Sequence, residues 1–242
     1  MNTVFLEYPK PKMIAHRGVS GIERENTYPA FVAAGNRSYF GVETDVHVTA
    51  DGKFVIIHDE TTERVSLGAT NVNVETSAYD EIKDIVLPDL DGSTLRADIR
   101  IPLLEDYVTI CKKYEKTCIL EVKNKFKRDD IVRMVELIKE LDYLENTVFI
   151  SFFYENCEIL REILPEAPIQ FLTAEPMSDE ILGKLMKNRL DLDIHYQKID
   201  KCWVDKLHSL GIKVNVWTCD SAERAKALTE MGVDFITSNI LE

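Results

Sequence analysis

The chain has 242 residues and carries 29 Lys and Arg against 42 Asp and Glu, a net charge of −13. That excess of acid disfavours a nucleic-acid partner, because phosphate backbones call for a basic footprint. It leaves room for an anionic small substrate only where a metal or a local cluster of cations holds it.

No apolar run approaches the roughly 20 residues of a membrane span, and no basic segment followed by an apolar one opens the sequence. Five scattered cysteines without a CxxC pair fit reduced thiols, and hence a cytoplasmic protein. Nothing in the sequence sets the oligomeric state.

Strand-like and helix-like runs alternate from one end to the other. A short strand at 13–15 precedes a helical segment at 27–36, and a second strand covers 41–49. Alternation along that strand puts Glu43, Asp45 and His47 on one face, with neighbours about 6–7 Å apart. At that spacing two carboxylates converge on one hard cation. A plain solvated face would also show acids two residues apart.

Asp51-Gly52 then marks a hairpin turn that returns the chain through Phe54-Val55-Ile56-Ile57-His58-Asp59. A two- or four-residue loop pairs Asp45 with His58 and brings the histidine back to the acids. A three-residue loop shifts the pairing and turns His58 away.

Residues 61–100 break the rhythm. They have weak periodicity, an Asp91-Gly92 turn and several acids (Glu75, Asp80, Glu81, Asp84, Asp89), and are too long for an ordinary connection. The stretch reads as an insertion lying over the barrel after the second strand, its acids forming a solvated surface.

Beyond it, helical segments at 103–114, 129–141, 155–164, 179–187, 202–210 and 222–231 alternate with strands at 118–122, 147–151, 169–172, 190–194, 213–217 and 235–237. Ile131, Val132, Val135 and Ile138 recur at helical spacing. Pro102 sits where a helix start accepts proline, and Gly211 and Gly232 where a helix stop wants glycine. This pattern favours an α/β architecture, a single (β/α)₈ TIM-barrel domain over residues 1–242. A doubly wound sheet is the alternative, unsupported by any GxGxxG or P-loop pattern.

In such a barrel the reactive groups gather at the C-terminal strand ends. There the first strand presents His16 and Arg17, the second Glu43 and Asp45, and the third Glu121 and Lys123. Three carboxylates from two adjacent strands fit Ca²⁺ or Mg²⁺ better than Zn²⁺, which wants a compact His/Cys set. A guanidinium grips phosphate with two hydrogen bonds and an ammonium adds a point charge, which suits Arg17 and Lys123 to an anionic diester. His16 and His58 are the available proton-transfer groups.

These residues resemble a family signature. His16-Arg17-Gly18, Glu25-Asn26-Thr27, Glu43-x-Asp45-Val46, Asp51-Gly52 and His58-Asp59 look like glycerophosphodiester phosphodiesterases. The likeness continues through Arg100-Ile101-Pro102, Glu121-x-Lys123, Val216-Trp217-Thr218 and Gly232-Val233-Asp234, and so covers nearly the whole chain. It implies a (β/α)₈ barrel that hydrolyses glycerophosphodiesters to glycerol 3-phosphate and an alcohol. It further implies a divalent cation, Ca²⁺ or Mg²⁺, on Glu43, Asp45 and Glu121, with His16 and His58 as acid and base. Arg17 and Lys123 would hold the phosphate while the glycerol 2-hydroxyl attacks phosphorus, giving a cyclic phosphate that water opens.

Arg24 stands where the family usually has proline, and Thr237-Ser238-Asn239 where it usually has Thr-Asp. Both departures are expected to lie away from the catalytic core. Trp217 is either core or a pocket wall, and the resemblance favours the wall. His195 either faces the pocket or is structural, His208 lies on an exposed helix, and His47 is a packed or supporting histidine. A phospholipase-D-like phosphodiesterase or lyase on lysolipids or sphingolipids is the second enzyme reading. A binding protein with a decayed site is the third, disfavoured because every catalytic position is filled.

Overall fold

The computed structural model describes residues 2–242. In chain order its first elements are β1 (Lys12–Ala15), α1 (Tyr28–Gly35), β2 (Gly41–Val48), β3 (Phe54–Ile56), β4 (Val86–Pro88) and β5 (Leu95–Arg100). Next come α2 (Leu104–Lys113), β6 (Thr117–Val122), α3 (Arg128–Glu140), β7 (Thr147–Ser151), α4 (Tyr154–Ile163) and β8 (Ile169–Thr173). The last are α5 (Asp179–Lys187), β9 (Asp191–His195), α6 (Lys201–Ser209), β10 (Val214–Trp217), α7 (Ala222–Met231) and β11 (Phe235–Ser238).

Eight parallel strands run β1, β11, β10, β9, β8, β7, β6, β2, and a β1–β2 pairing closes the ring. This is the expected (β/α)₈ barrel. Each strand alternates between an outer face packed on the helices and an inner face. Leu120, Phe149, Leu192, Val216 and Ile236 face the helices, whereas Ile119, Ile150, Leu172 and Phe235 belong to a separate apolar cluster inside the ring. Ile119 and Glu121 share that inner face, which also carries the buried polar contacts of Asn215 with Gln170 and Thr237. Among the described residues no helix is long and apolar enough to cross a membrane, and all five cysteines are free.

The hairpin pairs one residue off the expected register. β3 runs antiparallel to β2 with Val46 opposite Ile56 and His47 opposite Val55. The loop has three residues, closed by Thr49 N–H donating to Lys53 O at 2.8 Å, with Gly52 at φ +79°. Asp51 selects this form, since its Oδ1 accepts from Thr49 Oγ1 at 2.6 Å and from the Tyr79 N–H at 3.0 Å. Asp45 therefore faces Ile57, whose N–H donates to Asp45 O at 3.1 Å. His58 still returns to the acids, because β3 ends at Ile56 and the chain bends at residues 58–60. Pro102 also lies earlier than expected, ahead of the cap residue Leu103, and Val132 is exposed while Met134 takes the buried position on α3.

The 61–100 insertion has its own core. Val65, Val74, Ile82, Leu87 and Ile99 pack against Val55 and Ile57 of the hairpin return and Ile101 beyond it, roofed by the β4–β5 ribbon. Its acids are not simply solvated. Asp84 pairs with Arg100, Asp89 with Arg96, and Glu75 with His47. Ile99→Ala, which empties a buried site, should lower the unfolding free energy by about 2–5 kcal/mol. Leu95→Ala, at an exposed position, should change it by less than about 0.5 kcal/mol in the same urea titration.

Candidate active site

Asp45 and Glu121 are register partners on β2 and β6, and Glu43 precedes Asp45 on the same inward face. All three are buried, and each offers an oxygen within 4.8 Å of the others. Burial, reinforced by the Asp45 and Glu121 carboxylates, pushes the Glu43 carboxyl well above its usual range. Burial and the Asp45 charge likewise raise Glu121 to about 7. Asp45 moves the other way, since burial disfavours its charge but Lys123 and Arg17 outweigh that penalty.

Asp45 Oδ1 and Glu121 Oε1 are buried without a hydrogen-bond partner. Lys123 Nζ stands 3.4 Å and 2.9 Å from them, at ion-pair distance but without hydrogen-bond alignment. Orphaned carboxylate oxygens that repel one another fit a hard divalent cation. The charge of the three acids in the absence of a cation is an unfavourable arrangement that such an ion relieves.

The β1–α1 loop wraps this cluster. Arg17 adopts φ 52°, so that its N–H donates to Glu43 Oε2 at 2.8 Å. Its side chain reaches Asp45 Oδ2 at 3.4 Å and Glu25 Oε1 at 2.8 Å. Gly18 follows at φ +76°, where a Cβ would meet Ala30 Cβ at 2.6 Å, so this close approach to α1 requires glycine. Asn26, buried at φ 54°, donates from Nδ2 to Asp45 Oδ2 at 2.8 Å and accepts from Thr44 Oγ1 at 2.8 Å. It fixes the rotamer of Asp45.

Two histidines flank the acids. His16 Nδ1 lies 2.7 Å from Asn239 Oδ1, and its Nε2 lies 3.9 Å from Glu43 Oε2. His58 Nδ1 lies 2.7 Å from Asp59 Oδ1. Burial lowers the pKa of both rings; Arg17 adds to this at His16, and the Asp45 charge opposes it at His58.

His16, Arg17, Glu43, His58, Glu121 and Trp217 line one cavity, while Asp45 and Lys123 pair with its wall from behind. Phe152 extends the wall edge-on to Trp217, with ring centroids 5.6 Å apart. His195 packs on Trp217 at 5.4 Å and supports the wall rather than lining it. His208, on α6, bonds to Asp234 at 2.9 Å. His47 lies between Glu75 Oε1, at 3.0 Å, and the His58 carbonyl, at 3.3 Å, and so braces the bend that carries His58.

Three contributions escape sequence reasoning. Arg64, from the insertion, binds both Glu25 oxygens at 2.8 Å and Asp59 Oδ2 at 2.6 Å, tying the Arg17 loop to the His58 bend. Glu75 belongs to the His47 brace rather than to a solvated surface. Asn239, in one of the two departures expected to lie outside the core, touches His16 directly. An arginine six residues after His58 is a weak signal for the first, and nothing in the local pattern marks the others.

Strand-end carboxylates beside two histidines and an arginine suit the binding of an anionic phosphodiester at the mouth of a barrel. The chain belongs to the Glycerophosphoryl diester phosphodiesterase family, whose profile matches residues 16–241, and it is an enzyme of that family. A glycerophosphodiester phosphodiesterase of Caldanaerobacter subterraneus is 28% identical over 232 residues, 95% of this chain and 94% of that one. A human lysophospholipase D is 32% identical over 167 residues, 66% of this chain and 51% of that one. The structure of an Oleispira antarctica phosphodiesterase in complex with the product sn-glycerol-3-phosphate superposes with a TM-score of 0.83 at 25% identity, covering 95% of this chain and 93% of that one.

The Glu25 link makes an acid-stability prediction. Burial alone would raise its carboxyl, but hydrogen bonds from Arg64 and the charge of Arg17 bring it down from 4.5 to about 2. A carboxylate depressed in the folded state stabilises it fully above the unfolded pKa and loses that effect as the pH falls through the folded one. Between pH 4.5 and about 2, wild-type stability should therefore fall more steeply than that of Glu25→Gln, read from urea midpoints at each pH.

Proposed function

We propose that this enzyme hydrolyses glycerophosphodiesters to glycerol 3-phosphate and an alcohol. The observation that carries the reading is the convergence of Glu43 and Glu121, with Asp45 behind them, two histidines and Arg17 on one cavity. Arg17, on the cavity, binds the phosphate oxygens, Lys123 lends its positive charge from behind the wall through Glu121, and Trp217 with Phe152 packs against the carbon skeleton. A Ca²⁺ or Mg²⁺ on Glu43, Asp45 and Glu121 supplies charge neutralisation for the phosphate when bound.

One histidine takes the proton of the substrate's glycerol 2-hydroxyl as that oxygen attacks phosphorus. The other gives a proton to the departing alcohol oxygen. The cyclic phosphate that results is opened by water with the two roles reversed. The bound product of the Oleispira antarctica relative supports this substrate class.

The human lysophospholipase D relative favours one second reading, cleavage of lysolipid diesters on the same site. A coupled assay for glycerol 3-phosphate across glycerophosphodiesters, beside choline release from lysophosphatidylcholine, separates the two. Release of choline without glycerol 3-phosphate on any substrate would overturn the proposal.

Chelation should abolish turnover and added Ca²⁺ or Mg²⁺ should restore it. His16→Ala and His58→Ala should each lose on the order of 10²–10⁴ in kcat. Full activity in excess chelator would remove the metal from the reading, and near-normal turnover in either variant would remove that histidine.

Arg17→Lys keeps the charge but loses the planar fork. Because every substrate shares the phosphate, kcat/KM should fall by a similar factor for glycerophosphocholine and glycerophosphoethanolamine. A tenfold change in their ratio would mean that Arg17 reads the head group instead.

A further inference from the structure

Asp220 follows β10, Asn239 follows β11 and His16 follows β1, and the three side chains form one chain of contacts at the strand ends. Asp220 Oδ2 accepts from Asn239 Nδ2 at 2.6 Å, while Asp220 Oδ1 accepts from the Asn239 N–H and from Ser238 Oγ, both at 2.8 Å. Asn239 Oδ1 lies 2.7 Å from His16 Nδ1 and accepts from Ser20 Oγ at 2.6 Å.

The orientation of the Asn239 amide follows from chemistry. An ionised carboxylate only accepts, so the amide NH₂ must face Asp220. The amide oxygen then faces His16, and Nδ1 of that ring must carry a hydrogen to meet it. Turning the amide over would set two acceptors against each other 2.6 Å apart. In the neutral ring the lone pair is therefore on Nε2, the nitrogen on the Glu43 side of a residue that lines the cavity. His58 differs in having a carboxylate, Asp59, on its Nδ1, a partner that stabilises the protonated ring.

We infer that Asp220, acting through Asn239, is a positioning pair that holds His16 in the Nδ1–H tautomer and so makes it the proton acceptor of the first step. This rests on the proposed use of the two histidines in proton transfer. As the glycerol 2-oxygen bonds to phosphorus, its proton passes to His16 Nε2. The bond from phosphorus to the alcohol oxygen breaks, and that oxygen takes a proton from His58. In the second step water adds to phosphorus and gives its proton to His58, while His16 returns its own to the 2-oxygen. Each ring ends in the state in which it began. Neither Asn239 nor Asp220 touches the reacting atoms.

Nitrogen-15 spectra of the whole enzyme, labelled at histidine and assigned with His16→Ala, test the tautomer without turnover. Wild-type His16 should be protonated at Nδ1 and bare at Nε2. Asn239→Leu removes the acceptor, and Asp220→Leu frees the amide to turn. Both should give mixed tautomers and lower kcat by about 10-fold or more, within the 10⁴-fold cost of a wrong tautomer in histidine-dependent hydrolysis, with KM little changed. The exchanged pair Asp220→Asn with Asn239→Asp again aims an acceptor at Nδ1 and an amide at the carboxylate. It should restore the single Nδ1–H tautomer.

Should Asn239→Leu fail to fold, judged by thermal melting, Asp220→Leu and the exchanged pair carry the same test. A wild-type ring protonated at Nε2, or an unchanged tautomer in both leucine variants, would overturn the inference. So would an exchanged pair that folds and still shows mixed tautomers. Normal turnover in His16→Ala would instead defeat the proton-transfer reading and, with it, the role assigned here, while leaving the tautomer itself measured.

Discussion

Three buried carboxylates share the mouth of the barrel, and most of the surrounding architecture answers their mutual repulsion. Uncompensated charge in that setting costs several kcal/mol per ion. Lys123 and Arg17 bring opposite charge, Asn26 and the Arg17 N–H bring hydrogen bonds, and Glu43 and Glu121 relieve the strain further by resisting ionisation. The left-handed backbone at Arg17 and Asn26 is a local cost of this solution, held in place by the contacts it makes possible. A site that gathers so much negative charge is prepared for a cation.

The insertion shares in this balance. It has its own small apolar core, and from that base Arg64 and Glu75 both reach back to the site. Arg64 links the loop bearing Arg17 to the bend bearing His58 through two carboxylates. Glu75 secures His47, which in turn holds the carbonyl of His58. The histidine carried by the bend is thus set by side chains from the insertion and from β2, rather than by β3, which leads into it.

The barrel was legible because its signals are periodic. Alternation on β2 and β6 displayed Glu43, Asp45 and Glu121 on inward faces, and apolar spacing marked the helices. The hairpin register was not legible, because Asp51-Gly52 serves two- and three-residue loops alike and the choice lies with contacts from Thr49 and distant Tyr79. Local pattern carried no sign of Glu75 or Asn239 either. Each matters through a partner 28 or 223 residues away, and a polar residue outside a periodic run does not declare its partner.

The seam of the ring lies beside this site. β1 meets β11 on one side and β2 on the other, with only two register pairs, Ile14 with Gly41 and Ala15 with Val42, on the latter. His16 emerges at that join, and its amide partner arrives only when β11 docks. Closing so long a loop is entropically slow, and distant pairings form late in folding. During synthesis, a nascent chain can assemble the acid cluster from β2 and β6 well before it owns a correctly oriented His16. The acid cluster and the contact that orients His16 would then be acquired at different moments in the life of the polypeptide, the first from its early half and the second only upon ring closure.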